Sequence, residues 1–200
     1  MNEPYLPSLT QRIKLLWQAK KFVRDPARLA WRQGDVLVIM NAVEAYRAMF
    51  TADMLDRLLM LIKDARDNEV PIVFTRWCRF NNLMGDAIDQ KNHWSEYLPS
   101  DQTELLDELE PHEDDLVIHV KHANALYHPQ LLGMAEDASR LVLAGGWAEG
   151  CIAQTAHAST ELSHLSPAAI VSDALVGQRF TFTAALVNMS MYCADIVRID

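Results

Sequence analysis

Residues 141–159 read "LVLAGGWAEGCIAQTAHAS". Leu141 to Ala144 form a short apolar run of the kind buried inside a sheet, and Gly145-Gly146 ends it. Trp147 to Gly150 then lead into Cys151, which opens a segment with helical spacing. Parallel strands need long crossovers, usually helical, so a strand, a glycine turn and a helix read as one unit of a parallel sheet. The glycines allow backbone conformations that other residues resist, and let a substrate approach closely. A cysteine at a helix N-terminus lies among unpaired N–H groups at the positive end of the dipole, which favours thiolate over thiol. The same N–H groups suit an oxyanion. A buried structural cysteine is the competing reading, and spacing alone leaves both open.

The same alternation runs outward in both directions. Strand candidates fall at 35–40, 71–75, 116–120, 141–144, 168–172 and 195–199, mostly rich in Val, Ile and Leu and apolar on both faces. Amphipathic segments at 41–67, 128–138, 149–164 and 181–193 separate them, with Thr51 as an N-cap candidate. The pattern predicts an α/β, Rossmann-like three-layer fold: a six-stranded parallel sheet with helices on both faces. Residues 1–32 read as an N-terminal helical extension, with Ile13, Leu16 and Trp17 at helical spacing and a break at Asp25-Pro26. Residues 33–200 form the main domain. Ligands of such folds bind beyond the carboxyl ends of the strands, so the positions to weigh are 40–44, 75–80, 121–127, 145–151 and 173–180.

Composition narrows the partners. A net charge of −9 disfavours nucleic acid. No apolar run approaches the ~18 residues of a membrane span, and the N-terminus has no signal-peptide core, so a cytoplasmic protein is expected. Three cysteines are too few and too scattered for a disulfide framework. CxxC, HExxH and HxH are absent, and neither a metal nor a cofactor is expected. The acid-rich stretch 101–115 reads as a solvated helix and loop. Trp17 and Trp31 read as packing or contact residues between copies.

Lys121 ends a strand candidate at the edge where Cys151 is expected. It either lowers a nearby thiol's pKa, holds an anionic substrate or extends to solvent. His119 and His122 read as bystanders. Arg76, Trp77, Arg79 and Phe80 follow the second strand. An arginine among aromatics suits a planar or carboxylate ligand, and packing of a loop accounts for them equally well.

Two stretches, "VIHVKHANALYHPQL" (117–131) and "LVLAGGWAEGCIAQTAHASTELSHLSPAAIVSDALVG" (141–177), together resemble the isochorismatase-like (cysteine hydrolase) superfamily. Lys121 matches the family lysine, "NALY" stands where "SAFY"-like residues stand, Cys151 matches the nucleophile, and "SDAL" matches a strand-end Asp-Ala. "LAW" at 29–31, "EPHEDDLVIHVK" and Ala148 are similar to true isochorismatases, whereas Cys151 is the choice of the amidase branch. The resemblance implies an Asp-Lys-Cys triad and a cis peptide at Gly146–Trp147. It also implies oxyanion donors at the backbone N–H groups of Trp147 and Cys151, and assembly into homo-oligomers.

The family aspartate closes the first strand in phrases like "LLVIDMQ". Here "VLVIMNAV" places Met40 on it and Asn41 beside it. Asp35 lies at the other end of the strand, roughly 16 Å away at ~3.3 Å per residue. Glu44, Glu149 and Asp173 are other nearby acids. The metal motif of Asp and two His found in many amidase relatives is missing from "TRWCRFNNLMGDAIDQKNHW". The expected function is a divergent hydrolase of a small-molecule amide or related C–N or C–O bond, acting through Cys151 and Lys121. The alternatives are a degenerate relative that binds or scaffolds, and lyase-type chemistry in a biosynthetic pathway.

Overall fold

The computed structural model describes residues 9–77 and 103–199. Helix α1 (Leu9–Arg24) is followed by β1 (Ala27–Arg28), β2 (Asp35–Met40), α2 (Ala52–Asp67), β3 (Ile72–Trp77) and β4 (Leu116–Val120). Then come α3 (Pro129–Asp137), β5 (Arg140–Gly145), α4 (Ala153–Ser159), β6 (Ala168–Leu175), α5 (Phe182–Tyr192) and β7 (Ala194–Arg198). Every pairing is parallel, in the order β1-β7-β6-β5-β2-β3-β4.

All six strands read from the sequence are present, and the sheet has a seventh. β1 is two residues long and pairs with β7, where Leu29 N–H donates to Arg198 O at 2.7 Å. A pair of exposed residues, Ala27 and Arg28, carries no apolar signal, so only the ladder bonds reveal it. The N-terminal segment is therefore stitched to the sheet edge, and α1 lies along α5. The amphipathic stretch 41–67 is not one helix. A 3₁₀ segment, Glu44–Met49, precedes α2, and Thr51 restarts the helix by accepting from the Met54 N–H at 3.3 Å.

The sheet divides two apolar layers. Leu58, Leu61, Ile62 and Ala65 of α2 pack with Leu37, Ile39, Phe74 and Val142 on one face. Leu131, Ala135, Ile152, Ala156, Leu186 and Met189 pack with Val36, Val38, Met40, Leu143 and Ile170 on the other. β2 and β5 are buried along their whole lengths, as strands covered on both faces must be.

At the amino end of the central strand pair, Asp35 and Arg140 sit opposite each other in register. Their side chains are 0% and 3% exposed, and two bonds join them, Nε to Oδ1 at 3.0 Å and NH2 to Oδ2 at 2.5 Å. The Arg32 N–H also donates to Asp35 Oδ2 at 2.8 Å, and Arg140 NH2 donates to Ala30 O at 2.9 Å. Ion pairs this buried need further hydrogen bonds, and here each partner gains one from the backbone. Asp35 is thus committed at the end of the sheet remote from the carboxyl edge.

Removing one partner strands a buried charge. Asp35→Ala is expected to cost about 3–5 kcal/mol, read as a fall in the urea midpoint. The double variant Asp35→Leu/Arg140→Met is expected to recover most of that loss.

Candidate functional site

The carboxyl ends of β2 and β5 meet backbone to backbone. Met40 is paired with Gly145, and the Gly146 N–H donates to Met40 O at 2.7 Å. Gly145 has φ +97°, and a Cβ there would lie 2.3 Å from Met40 O. Only glycine fits, for conformation and for space. Across the turn, Val176 N–H donates to Gly145 O at 2.8 Å and Ala148 N–H donates to Val176 O at 2.9 Å. The Gly146–Trp147 peptide is cis. The turn is thus clamped between β2 and the segment after β6.

Cys151 follows within a π-helical turn, Ala148–Ile152, that runs straight into α4; Ile152 N–H donates to Trp147 O at 3.1 Å. Its residue surface is 7% exposed. Cys151 shares one apolar cluster with Met40, Trp77, Val120, Ala125 and Ala148. Met40 is fully buried in that cluster, so a thioether stands on the Cys151 side of the sheet. Trp147 is held edge-on by Tyr46, with ring centroids 5.5 Å apart.

Lys121 lies in a bend just past β4 and is exposed. The loop that follows is tied to the cysteine's helix. Thr155 Oγ1 accepts from the Ala125 N–H at 3.0 Å and donates to Ala123 O at 3.4 Å. Asn124 caps the short turn Ala125–Tyr127 by accepting from the Leu126 N–H. The "NALY" stretch is therefore fixed against the helix that begins beside Cys151. His122 stacks edge-to-face with Tyr127, and His119 is exposed on the edge strand. Partial desolvation of the ring by its surroundings, with the positive charge of Arg76 nearby, holds the His119 pKa below the usual imidazole range.

The other acids are engaged. Asp173 accepts from the Ile199 N–H at 3.1 Å and pairs with Arg57 of α2 at 3.0 Å. A register shift in β6 accommodates it, because Leu143 pairs with Ile170 but Gly145 pairs with Leu175. Glu44 pairs with Arg47, whose hydrogen bond lowers its pKa. Glu149 Oε1 accepts from the Gln178 N–H at 2.7 Å and from the Thr181 hydroxyl at 3.1 Å, so this carboxylate clasps the loop after β6. Its Oε2 is buried without a hydrogen-bond partner and lies 2.6 Å from where a Cβ on Gly177 would stand.

Arg76 is engaged by the segment that follows the undescribed residues. It donates to Thr103 O at 2.8 Å and pairs with Glu104. The described part of the acid-rich stretch, 103–115, is correspondingly more than a solvated loop. Leu106 N–H donates to Ala42 O and Glu44 N–H to Glu104 O, while Leu106 and Leu109 are buried. The segment covers the exit of β2. Arg79, Phe80 and Cys78 lie outside the described residues. Trp31, by contrast, packs beside α2 and donates to Asp64 at 2.7 Å.

The sequence profile of the isochorismatase domain matches residues 33–200. The chain belongs to the isochorismatase family. Solved structures with this fold include N-carbamoylsarcosine amidase of Thermoplasma acidophilum, 18% identical, TM-score 0.68, covering 84% of this chain and 98% of its own. An isochorismatase of Pseudomonas putida is 16% identical at TM-score 0.63, with 97% and 98% covered. The pyrazinamidase/nicotinamidase of Streptococcus mutans is 16% identical at TM-score 0.62, with 82% and 99% covered. No curated protein sequence matches the chain.

Membership in this hydrolase superfamily puts the glycine turn and Cys151 of this isochorismatase-family chain at the carboxyl edge that such folds use for ligands. Among the described residues no group of three His, Cys, Asp or Glu is placed to hold a metal ion, and no helix is long and apolar enough to cross a membrane. Sequence reasoning undervalued Thr155 and Thr75. A lone threonine carries no motif, although Thr155 sits one helical turn past Cys151, where a hydroxyl can reach a neighbouring loop.

Two glycines separate the turn's requirement from helix propensity. Gly145→Ala is expected to destabilise the fold by several kcal/mol or prevent folding, since backbone blocks the new methyl. Gly133, inside α3 with no atom within 4 Å of a built Cβ, is expected to gain about 0.5–1 kcal/mol as alanine. Thermal melts of the two variants check both signs.

Proposed function

We propose that the chain is a cysteine hydrolase that cleaves a C–N or related C–O bond of a small molecule, with Cys151 as nucleophile. The observation that supports this most is the placing of Cys151 in the first helical turn after a glycine turn locked to Met40. The thiolate attacks the acyl carbon, the amine or alcohol leaves with a proton, and water cleaves the thioester to release the acid and restore the thiolate. Lys121, at the mouth of the site, supplies positive charge that favours thiolate and an anionic substrate. The proton cannot pass through residue 40, because a methionine holds none. Solvent or the substrate carries it, at the expense of the ~10²–10⁴-fold that a positioned general base contributes. Amidases among the structural neighbours agree with C–N chemistry.

The second reading is a relative that binds a small molecule without turnover, and the fully buried Met40 favours it. Small-molecule binding, assembly with further copies and a cytoplasmic setting accompany either reading.

Iodoacetamide labelling against pH in a Cys78→Ser chain separates the two. Cys193 is buried, which pushes its thiol up to about 11 and keeps it silent near neutral pH. Labelling of Cys151 is expected with an apparent pKa below the ~8.5 of a free thiol. Cys151→Ser is expected to abolish both labelling and hydrolysis in an amide screen. Met40→Asp is expected to raise amide hydrolysis by roughly 10²–10⁴-fold. A Cys151 that labels no faster than free cysteine overturns the hydrolase reading in favour of binding alone.

A further inference from the structure

Beside Met40, the chain turns sharply at Asn41. Its φ is +50°, in the left-handed region, which asparagine tolerates better than most residues. The residue is 1% exposed, and its neighbour Thr75 is fully buried. The two lock together. Asn41 N–H donates to Thr75 O at 3.0 Å and to Thr75 Oγ1 at 3.2 Å, and the Thr75 hydroxyl donates to Asn41 Oδ1 at 3.1 Å. Among the described residues nothing accepts from Asn41 Nδ2.

The amide lies on an identifiable side of the sheet. Along β3, Thr75 shares a face with Val73 and Trp77, and both belong to the cluster that contains Met40 and Cys151. An Asn41 side chain bonded to the Thr75 hydroxyl is therefore on the Cys151 side, at the carboxyl edge between β2 and β3. The side chain is held in place by its oxygen, and its Nδ2 is left as a donor that a ligand bringing an acceptor can engage.

We propose that Asn41 Nδ2 is a ligand-anchoring donor for an acceptor oxygen of a small carboxamide or carboxylate, with Thr75 as the residue that positions it. This rests on the hydrolase reading for the location of the site but not for turnover. Residue 40 has lost its acid, and residue 41 supplies a neutral donor that holds an oxygen without exchanging a proton. Recognition survives at this strand end where proton transfer does not.

The test is a titration of the ¹⁵N-labelled full chain carrying Cys151→Ser, followed at the Asn41 side-chain amide signals. The probes are benzamide and benzoate. Saturable movement of the Asn41 Nδ2 signals by either probe is expected, and which one binds more tightly distinguishes carboxamide from carboxylate. Asn41→Asp keeps the shape and the Thr75 hydroxyl bond but replaces the donor with an acceptor. It is expected to weaken benzamide at least tenfold, as is Asn41→Leu; tenfold is about 1.4 kcal/mol. Unchanged benzamide affinity in a folded Asn41→Asp chain, or no saturable movement of Asn41 Nδ2 by either probe, overturns the proposal. Intact Asn41 shifts together with an unreactive Cys151 in the wild-type chain overturn the hydrolase reading alone.

Discussion

The contact between Gly145 and the Met40 backbone is the constraint from which the site is built. Two strands converge so closely at their carboxyl ends that no side chain fits between them. The glycine turn then leaves β5 at a fixed angle, with its N–H groups and carbonyls already assigned to β2 and to Val176. Cys151 follows directly from this backbone arrangement. Residue 40 contributes its main chain to the turn whatever its side chain is, and its methionine packs into the apolar cluster on the Cys151 side.

Polar bonds at the same edge extend that frame sideways. Thr155 ties the loop after β4 to α4, Glu149 ties the loop after β6 to the helix turn of Cys151, and Thr75 ties the end of β2 to β3. Each is a buried or half-buried side chain reaching a loop backbone or side chain, which is how irregular segments near a core meet their hydrogen-bonding needs. Their combined effect is to make the strand ends one rigid rim around Cys151.

Much of this was legible in the chain because it follows from period and chemistry. The buried strands announce themselves as Val, Ile and Leu runs, and Gly145-Gly146 before Cys151 marks the turn. β1 was not legible, since two exposed residues paired through their backbone leave no pattern. Thr51 marked where the helix inside 41–67 begins, whereas the 3₁₀ turn before it left no pattern of its own. The role of 101–115 was missed for a different reason. Its many acids are exposed, while its anchoring rests on Leu106 and Leu109 and on backbone bonds to residues 42 and 44, which composition does not register. Arg76 left ligand contact and loop packing equally open in the sequence, and only the fold shows Glu104 beside it.

The buried pair of Asp35 and Arg140 sits at the amino ends of the same two strands whose carboxyl ends bear Met40 and Gly145. Register between these strands is therefore fixed at one end by charge and at the other by backbone. The side chain at position 40 is left out of both fixings. Such an arrangement gives an evolving lineage freedom of a particular kind. The side chain at position 40 can change while the strand alignment that folding depends on stays fixed elsewhere.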